Sequence, residues 1–197
     1  MRVNAGIKVI GKQVILVPYE ACHVNKYHRW MEDAELRQQT ASDRLTLERE
    51  YEMQRSWRED DDKCTFIILS RSLIDEGYDE LSSMIGDVNL FLYETVAELE
   101  IMIAEREWRG RGIATECIRL MIRYAFEHLH IERFEVKISE DNISSINLFR
   151  KLGFEQTSYS SVFKEYTMDL DPSKLPEVID GIPLQLENYQ PPYFEST

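Results

Sequence analysis

Residues 99–116 read LEIMIAEREWRGRGIATE. The apolar, β-branched first part indicates a strand, and an apolar series at helical spacing begins after the two glycines. A helix start leaves backbone N–H groups unpaired and its dipole favours negative charge, and glycine lets the backbone approach an anion because it has no Cβ. Arg109 and Arg111 add positive charge beside Gly110 and Gly112. The stretch therefore predicts a strand, a pyrophosphate-binding loop and a helix.

The spacing of these glycines excludes two other phosphate-binding loops. A P-loop ends in Gly-Lys-Ser or Gly-Lys-Thr, the dinucleotide fingerprint reads Gly-x-Gly-x-x-Gly, and the loop has neither pattern. An ordinary strand-to-helix turn, in which glycine serves the backbone geometry alone, is the remaining alternative for the loop taken by itself.

Hydrophobic periodicity and turn residues extend this unit in both directions. Before it we predict strands over residues 12–18, 64–69 and 85–93 and helices over residues 21–33 and 46–57. From its helix onward we predict a helix over residues 113–129, a strand over 133–138, a helix over 142–152 and a hairpin over 154–157 and 162–170. The order is strand, two helices, three strands, helix, strand, helix, two strands, which indicates a mixed α/β layer architecture.

The periodic pattern stops near residue 171. Five of the six prolines lie beyond that point, in a stretch with several acidic residues. We therefore expect one domain over residues 1–170, followed by an acidic, proline-containing tail over residues 171–197 that is extended or disordered.

The composition is that of a globular domain, with 43% hydrophobic and 30% charged residues among 197. The formal net charge is −13, which disfavours nucleic acid as a partner because phosphate binding requires a concentrated basic face. Solubility alone explains an acidic surface, and attraction of a cationic partner is the alternative.

Cysteines and apolar runs indicate the cellular setting. Cys22, Cys64 and Cys117 are scattered and odd in number, which suggests reduced thiols, so we expect a cytoplasmic protein. The four histidines show no metal-ligand spacing with these cysteines, so no metal is expected. The apolar runs are too short to cross a bilayer and residues 1–12 lack the apolar core of a secretory signal, so no membrane partner is expected.

Two motifs carry a family resemblance. Residues 109–114, RGRGIA, match the Arg/Gln-x-x-Gly-x-Gly/Ala motif of the GCN5-related N-acetyltransferase (GNAT) superfamily. Residues 141–154, DNISSINLFRKLGF, resemble the Asn-x-x-Ser, apolar helix and Lys-Leu-Gly-Phe segment of the same family. The two motifs occur in the family's order with the right elements between them. Over residues 12–170 the chain resembles this family, most of all its ribosomal-protein N-acetyltransferase-like branch.

The resemblance implies a fold and a cofactor. The GNAT fold is a mixed seven-stranded sheet flanked by four helices, in which two central parallel strands, residues 99–104 and 133–138 here, splay apart. Acetyl-CoA enters the gap, and no metal takes part. The residues implied to bind it lie on the first of these strands, on the glycine loop and at the next helix start: Met102, Ile103, Ala104, Arg109, Gly110, Arg111, Gly112, Ile113, Ala114, Asn142 and Ser145.

The implied chemistry is direct transfer of acetyl to an amine. The backbone amides of Met102 and Ala104 would polarise the thioester carbonyl. The amine must lose a proton before it attacks, and Glu100, on the same strand face as both residues, is the candidate base. Glu98 and Glu135 are the next candidates for the base. The alternative for Glu100 is an exposed edge carboxylate without a catalytic role.

One position departs from the family pattern. Phe149 stands where many relatives have a tyrosine whose hydroxyl protonates the departing thiolate. The acid is therefore expected to be water, Tyr124, Tyr159 or Tyr166. For Asn142, a helix cap is an alternative to contact with the pantetheine arm.

The resemblance also implies a substrate class. Relatives in this branch point to a protein or peptide amine, either an N-terminal α-amine or a lysine, and their link to microtubules makes tubulin a candidate partner. Two other readings stay open: a CoA-binding scaffold that acts by microtubule contact with little or no catalysis, and an acetyltransferase for small amines such as polyamines.

Overall fold

One mixed β-sheet runs through the described part of the chain, residues 1–192 of this computed structural model. Its strand order is β7-β8-β6-β5-β4-β3-β2-β1-β9, and β5 with β6 is its one parallel pair among the described strands. The strands are β1 Ile7–Ile10, β2 Val14–Pro18, β3 Lys63–Ser70, β4 Met84–Tyr93, β5 Val96–Ile103, β6 Arg133–Ser139, β7 Phe154–Ser160, β8 Glu165–Leu170 and β9 Gln185–Asn188.

Helices cover both faces of this sheet. They are α1 Val24–Met31, α2 Ala34–Gln39, α3 Leu47–Glu59, α4 Arg71–Asp75, α5 Glu80–Ser83, α6 Ile113–Leu129, α7 Ile143–Lys151 and α8 Leu175–Ile179. The longest, α6, spans the residues predicted from its periodicity, because its apolar residues recur at helical spacing and His130 ends it in the left-handed conformation (φ 59°). No helix in residues 1–192 has the length and apolar character to span a membrane.

Alternation along the strands divides the core into two layers. On one face, Phe66 and Leu99 pack with Met121 of α6. On the other face, Ile67 and Met102 pack with α1 and α3. Neighbouring strand residues thus serve opposite layers, and we call these the α6 face and the α1 face.

The central strands β5 and β6 separate partway along their length. Their ladder pairs Val96 with Arg133, Ala97 with Phe134 and Glu98 with Glu135, and it ends there. Beyond this point β5 continues to Ile103 beside β4, while β6 stays paired with β8 as far as Ser139. The α/β class and the splayed parallel strands predicted from the sequence are confirmed.

The number of elements differs from the prediction of seven strands and four helices. The sheet has nine strands because β1 and β9 join its edge beyond β2. Strand β1 has four residues and β9 is polar, so neither shows an alternating pattern long enough to detect. Residues 71–83, for which no helix or strand was predicted, contain α4 and α5, each of no more than five residues.

The tail also differs from the prediction. The segment over residues 171–192 contains regular structure: α8 packs against α6 and β9 pairs antiparallel with β1. Leu175, Val178 and Ile182 are buried in the core of the α6 face. Residues 193–197, which the prediction also covered, lie outside the described residues.

Two arginines of α6 hold this tail in place. Arg119 donates to the backbone carbonyls of Val178 (2.6 Å) and Asp180, and Arg123 donates to that of Ile182. These donors lie about 60 residues from their acceptors in sequence, so the composition of the tail could not predict the contacts.

Candidate functional site

A cleft of about 480 Å³ opens at the carboxyl end of β5, between the amino termini of α6 and α7. All the residues predicted to bind the cofactor line it except Ala104 and Arg111: Met102, Ile103, Arg109, Gly110, Gly112, Ile113, Ala114, Asn142 and Ser145. Met102 and Ser145, far apart in sequence, therefore meet in one cleft because β6 returns the chain to the same edge of the sheet.

The glycine loop adopts a backbone that other residues rarely adopt. Gly110 has φ 72° and Gly112 has φ 81°, both in the left-handed region. Gly112 is the N-cap of α6 and supplies no side-chain acceptor to its first-turn amides. A Cβ built on either glycine meets no atom within 4 Å, so the space before these amides is open. This arrangement suits a phosphate group, which accepts from such amides.

The two loop arginines take different positions. Arg109 donates from Nε to the Ile103 carbonyl (2.8 Å) and contacts the Ala104 carbonyl (3.5 Å), so it ties the loop to the end of β5. Arg111 is exposed, with its guanidinium 5.1 Å from the ring centre of Trp108. Only Arg109 therefore borders the cleft.

The backbone amides of Met102 and Ala104, predicted to face the thioester, are directed into the sheet instead. The Ala104 amide donates to the Ile85 carbonyl (2.9 Å), and amides two residues apart in a strand point to the same side, so that of Met102 also faces β4. The predicted role of these two amides is wrong. The edge facing the gap belongs to Ile101 and Ile103.

Sequence alone could not decide whether the amides of Met102 and Ala104 or those of Ile101 and Ile103 face the gap. The choice depends on which of the two alternating sets of amides pairs with β4, and that is a property of the strand register. Ile103 stays among the predicted cofactor residues, and Ile101 is added by the register.

Asn142 has the position that both of its predicted roles require. Its Oδ1 accepts from the Ser145 amide (3.1 Å), which caps α7. Both residues also line the cleft, so the cap holds the Asn142 side chain at the cleft wall.

Three carboxylates meet where the strands begin to separate. Glu98, Glu100 and Glu135 project from the α1 face of β5 and β6, at the last rung of the ladder or beside it. Lys137 donates to Glu98 and lies 3.5 Å from Glu135. Glu98 and Glu135 are therefore partly neutralised, and Glu100 has no such bonded partner among residues 1–192.

Glu100 titrates in an unusual range. Its side chain is partly exposed on the α1 face, beside the point where β5 and β6 separate. Desolvation by the surrounding protein, followed by repulsion from Glu98, raises the pKa of Glu100 to about 7, although Lys63 and Lys137 oppose the shift. A carboxylate with that pKa can take a proton near neutral pH.

Asp87 and Asn89 of β4 are two polar residues that the sequence analysis did not single out. They lie on the α1 face, and Asn89 is paired with Glu100. Asn89 Nδ2 donates to Asp87 Oδ2 (2.7 Å), and burial raises the pKa of Asp87 to about 7. Their spacing of two residues inside an apolar strand was the available sign, because it places both on one buried face.

None of the predicted tyrosine acids lines the cleft in the described chain. Tyr124 donates its hydroxyl to the Val3 carbonyl (2.9 Å) within the α6 layer. Tyr159 donates to Glu140 (2.5 Å) and packs beside Tyr166. Phe149, at the usual tyrosine position, is buried against Phe154.

Cys22, His23 and Glu80 could each offer one atom to a metal ion, and these three atoms lie within 4.8 Å of one another. His23 Nδ1 accepts from the Glu20 amide (3.0 Å), so Nε2 carries the proton and donates to Glu80 (2.8 Å). Glu80 also accepts from the Tyr189 hydroxyl (2.7 Å), and burial raises the pKa of the Cys22 thiol to about 12. The three groups are thus engaged in hydrogen bonding or protonated.

Comparison with known proteins agrees with this geometry. Residues 13–155 match the family model described as "Acetyltransferase (GNAT) domain". The chain is 54% identical to the N-acetyltransferase 9-like protein of Caenorhabditis briggsae, over 89% of this chain and 91% of the relative. It is 48% identical to the Alpha/beta-tubulin-N-acetyltransferase 9 of Homo sapiens, over 88% and 87%.

Solved structures share the fold. Spermidine N-acetyltransferase from Vibrio cholerae, in complex with CoA and spermine, aligns with a TM-score of 0.70 and covers 83% of this chain and 98% of that one. Its sequence identity is 17%, so this likeness concerns the fold alone.

Proposed function

Because the chain belongs to the GNAT family of acetyltransferases, we propose that it transfers the acetyl group of acetyl-CoA directly to an amine of a protein. The observation that carries the proposal is the gap between β5 and β6, which opens beside the uncapped amides of the glycine loop. The gap and the loop offer an elongated thioester with a diphosphate the two contacts that it needs.

The cofactor contacts are divided among three elements. The first-turn amides of α6, from Gly112 to Ala114, would hold the diphosphate. The Ile101 and Ile103 amides would bond the acyl-bearing arm, and one of them would stabilise the oxyanion, an interaction worth about 3 kcal/mol. Asn142 at the opposite wall would contact the same arm.

The chemistry needs one base and one leaving group. The amine loses a proton to Glu100, and its nitrogen attacks the thioester carbon. The C–N bond forms and the C–S bond breaks. The nitrogen of the tetrahedral intermediate releases its second proton to water, and the CoA thiolate takes a proton from water, so the one proton left over is the one on Glu100. Water is the acid in this scheme because Phe149 has no hydroxyl and the three tyrosines lie away from the cleft.

A protein amine is the proposed acceptor. An α-amino group has a pKa of about 8, which is close to the raised pKa of Glu100, so the Glu100 carboxylate can accept its proton. The carboxylates on the α1 face attract a cationic group. Three relatives are named Alpha/beta-tubulin-N-acetyltransferase 9, so the amino termini of tubulin are the first substrates to test.

The first experiment measures cofactor binding. Acetyl-CoA at 100 times its dissociation constant should stabilise the fold by about 2.7 kcal/mol, seen as a rise in the unfolding temperature. A protein whose unfolding temperature does not respond to acetyl-CoA or CoA is not an acetyl-CoA-dependent enzyme.

The second experiment identifies the acceptor. The protein is incubated with acetyl-CoA and a panel of tubulin N-terminal peptides, internal lysine peptides and spermidine, and mass spectrometry locates the new acetyl group. Acetylation of the N-terminal peptides supports the proposal. Turnover of spermidine alone would assign a small-molecule enzyme, and cofactor binding with no turnover would assign a scaffold.

A further inference from the structure

Asp87 and Asn89 form a buried polar pair beside the proposed base. The register of β4 and β5 sets Asn89 opposite Glu100 and Asp87 opposite Met102, and residues paired across antiparallel strands share a face. Asp87 is 2% exposed and Asn89 is 6% exposed. The pair therefore lies on the α1 face, one strand away from the gap, at the level of Glu100.

The hydrogen bond within the pair sets the orientation of the Asn89 amide. Nδ2 donates to Asp87 Oδ2 (2.7 Å), which directs the carbonyl oxygen Oδ1 away from Asp87. Oδ1 has no hydrogen-bond partner among residues 1–192, although buried polar atoms are nearly always paired. Asn89 thus presents a buried acceptor whose donor must come from outside the described chain.

The substrate of the proposed reaction has such donors. A primary amine arrives as an ammonium group with three N–H bonds, and each needs an acceptor once it leaves water. Glu100 supplies one acceptor. The neighbouring Lys63 and Lys137 only donate, and Glu98 is already bonded to Lys137. Asn89 Oδ1 is the unbonded acceptor paired with the base.

We propose that Asn89 Oδ1 is a second acceptor for the substrate ammonium group, with Asp87 as the residue that positions it; this rests on the proposed acetyl transfer. The contact makes Asn89 a specificity-determining residue. It favours an amine with several N–H donors over one in which a methyl group replaces a donor, because a buried acceptor left unpaired weakens binding.

Two peptides that differ by one methyl group on the N-terminal nitrogen test this contact. The probe is the best substrate of the peptide panel and its N-methyl form, and binding to the CoA-bound protein is measured by calorimetry, together with kcat/KM. In the native protein we expect the methyl group to weaken binding about five- to tenfold, as one lost hydrogen bond does. In Asn89→Leu the same methyl group should weaken binding less than about twofold.

Further variants separate this contact from a general loss of structure. Asn89→Ser shortens the side chain with little loss of polarity, so its methyl penalty should also fall, even if Asn89→Leu does not fold. Asp87→Asn releases the orientation of Asn89 and should give an intermediate penalty. Thr65→Val is the matched control, because Thr65 is buried beside Asn89 on β3 but lies two strands away from Glu100, so its methyl penalty should be native.

The outcomes distinguish this inference from the proposed function. All variants should keep the rise in unfolding temperature with CoA, which reports the cleft on the other side of the gap. Native methyl penalties in both Asn89 variants, with acetylation intact, would overturn the Asn89 contact alone. A native protein that acetylates no peptide overturns the proposed function, and a native protein with no methyl penalty in peptide binding overturns the Asn89 contact in either case.

Discussion

Glu100 owes its proposed role to its surroundings. Desolvation by the surrounding protein and repulsion from its neighbour Glu98 both disfavour the charged form of Glu100. Its carboxylate therefore holds a proton at pH 6 and releases it near pH 7, the range in which a base is useful.

Replacing Glu100 should remove this base. In Glu100→Gln we expect kcat/KM to fall about 100-fold or more, because a positioned base contributes about that much. For the native protein kcat/KM should rise with pH through about 7, since the base acts only when it is deprotonated. The pH profile of Glu100→Gln should lack this rise, apart from that of the amine itself.

Glu94→Gln is the matched control for this change. Glu94 is an exposed residue at the turn that precedes β5. Its replacement by glutamine removes the same charge as Glu100→Gln, but at a distance from the gap. Its pH profile should be native, and an equal loss of activity in both variants would show that net charge and not the base is responsible.

Asp87 predicts a second pH effect, on stability. The folded pKa of about 7 exceeds the unfolded value near 3.9, so the buried carboxyl stabilises the fold below pH 4 and loses that contribution as pH rises through 7. Tyr19, Tyr27 and Glu100 face this carboxyl from the neighbouring elements.

Asp87→Asn should flatten this dependence. Relative to the native protein, the variant should gain free energy of unfolding between pH 5 and pH 8, by at most about 4 kcal/mol. Urea titrations at several pH values measure the difference. A constant difference across this range would show that Asp87 does not change its protonation there.

Residue roles were harder to predict than residue identities. The glycine turn before α6 and the Asn142 cap of α7 could be predicted, because both depend on local backbone geometry that a few residues specify, whereas their contacts with a cofactor stay a prediction. The amide donors of β5 could not, because strand register depends on pairing partners distant in sequence. The roles proposed for Asp87 and Asn89 depend on Glu100, which is paired with Asn89 on the neighbouring strand β5.

At the scale of the element, the glycine loop gives the sharpest test of cofactor binding. Gly112 and Gly77 have similar left-handed φ values, 81° and 92°, and a Cβ on either meets no neighbouring atom. A valine at either position therefore has the same backbone strain, about 1–2 kcal/mol, but only Gly112 borders the cleft.

Gly112→Val should abolish the rise in unfolding temperature with acetyl-CoA, because its Cβ and strained backbone disturb the first-turn amides of α6. Gly77→Val should lose similar stability and keep the full rise. Differential scanning fluorimetry with and without acetyl-CoA measures both. A retained rise in Gly112→Val would contradict the assignment of the diphosphate to this loop.

Elements with a strong pattern were predicted well. The helix over residues 113–129 and the family relationship carried by residues 109–114 and 141–154 are confirmed. Short elements such as β1, α4 and α5 were not predicted, because fewer than six residues are too few to show hydrophobic periodicity. Tertiary contacts, and not local propensity, hold them in place.

At the scale of the whole molecule, the tail belongs to the domain. Strand β9 covers the edge of β1, so the unpaired backbone groups of β1 are not offered to another chain. Arginine side chains of α6 hold the segment that leads to it. The acidic, proline-containing composition is typical of disordered segments. It cannot indicate the arginine donors, because these lie in α6.

Removing both donors should loosen the tail. In the double variant Arg119→Ala and Arg123→Ala we expect the free energy of unfolding to fall by about 1–3 kcal/mol, because charge-assisted bonds to backbone carbonyls are lost. Limited proteolysis should cleave residues 175–190 first. The exposed Arg150→Ala, which lacks these contacts, is the control and should match the native protein.

Beyond the point where β5 and β6 separate, the glycine loop follows the carboxyl end of β5, whereas Glu100 projects from the α1 face. In the proposed reaction both reactants would therefore be bound at once, and neither would have to depart before the other arrives. Steady-state rates measured at varied concentrations of both should give intersecting double-reciprocal lines, the mark of a sequential ternary complex, and not the parallel lines of a double-displacement enzyme.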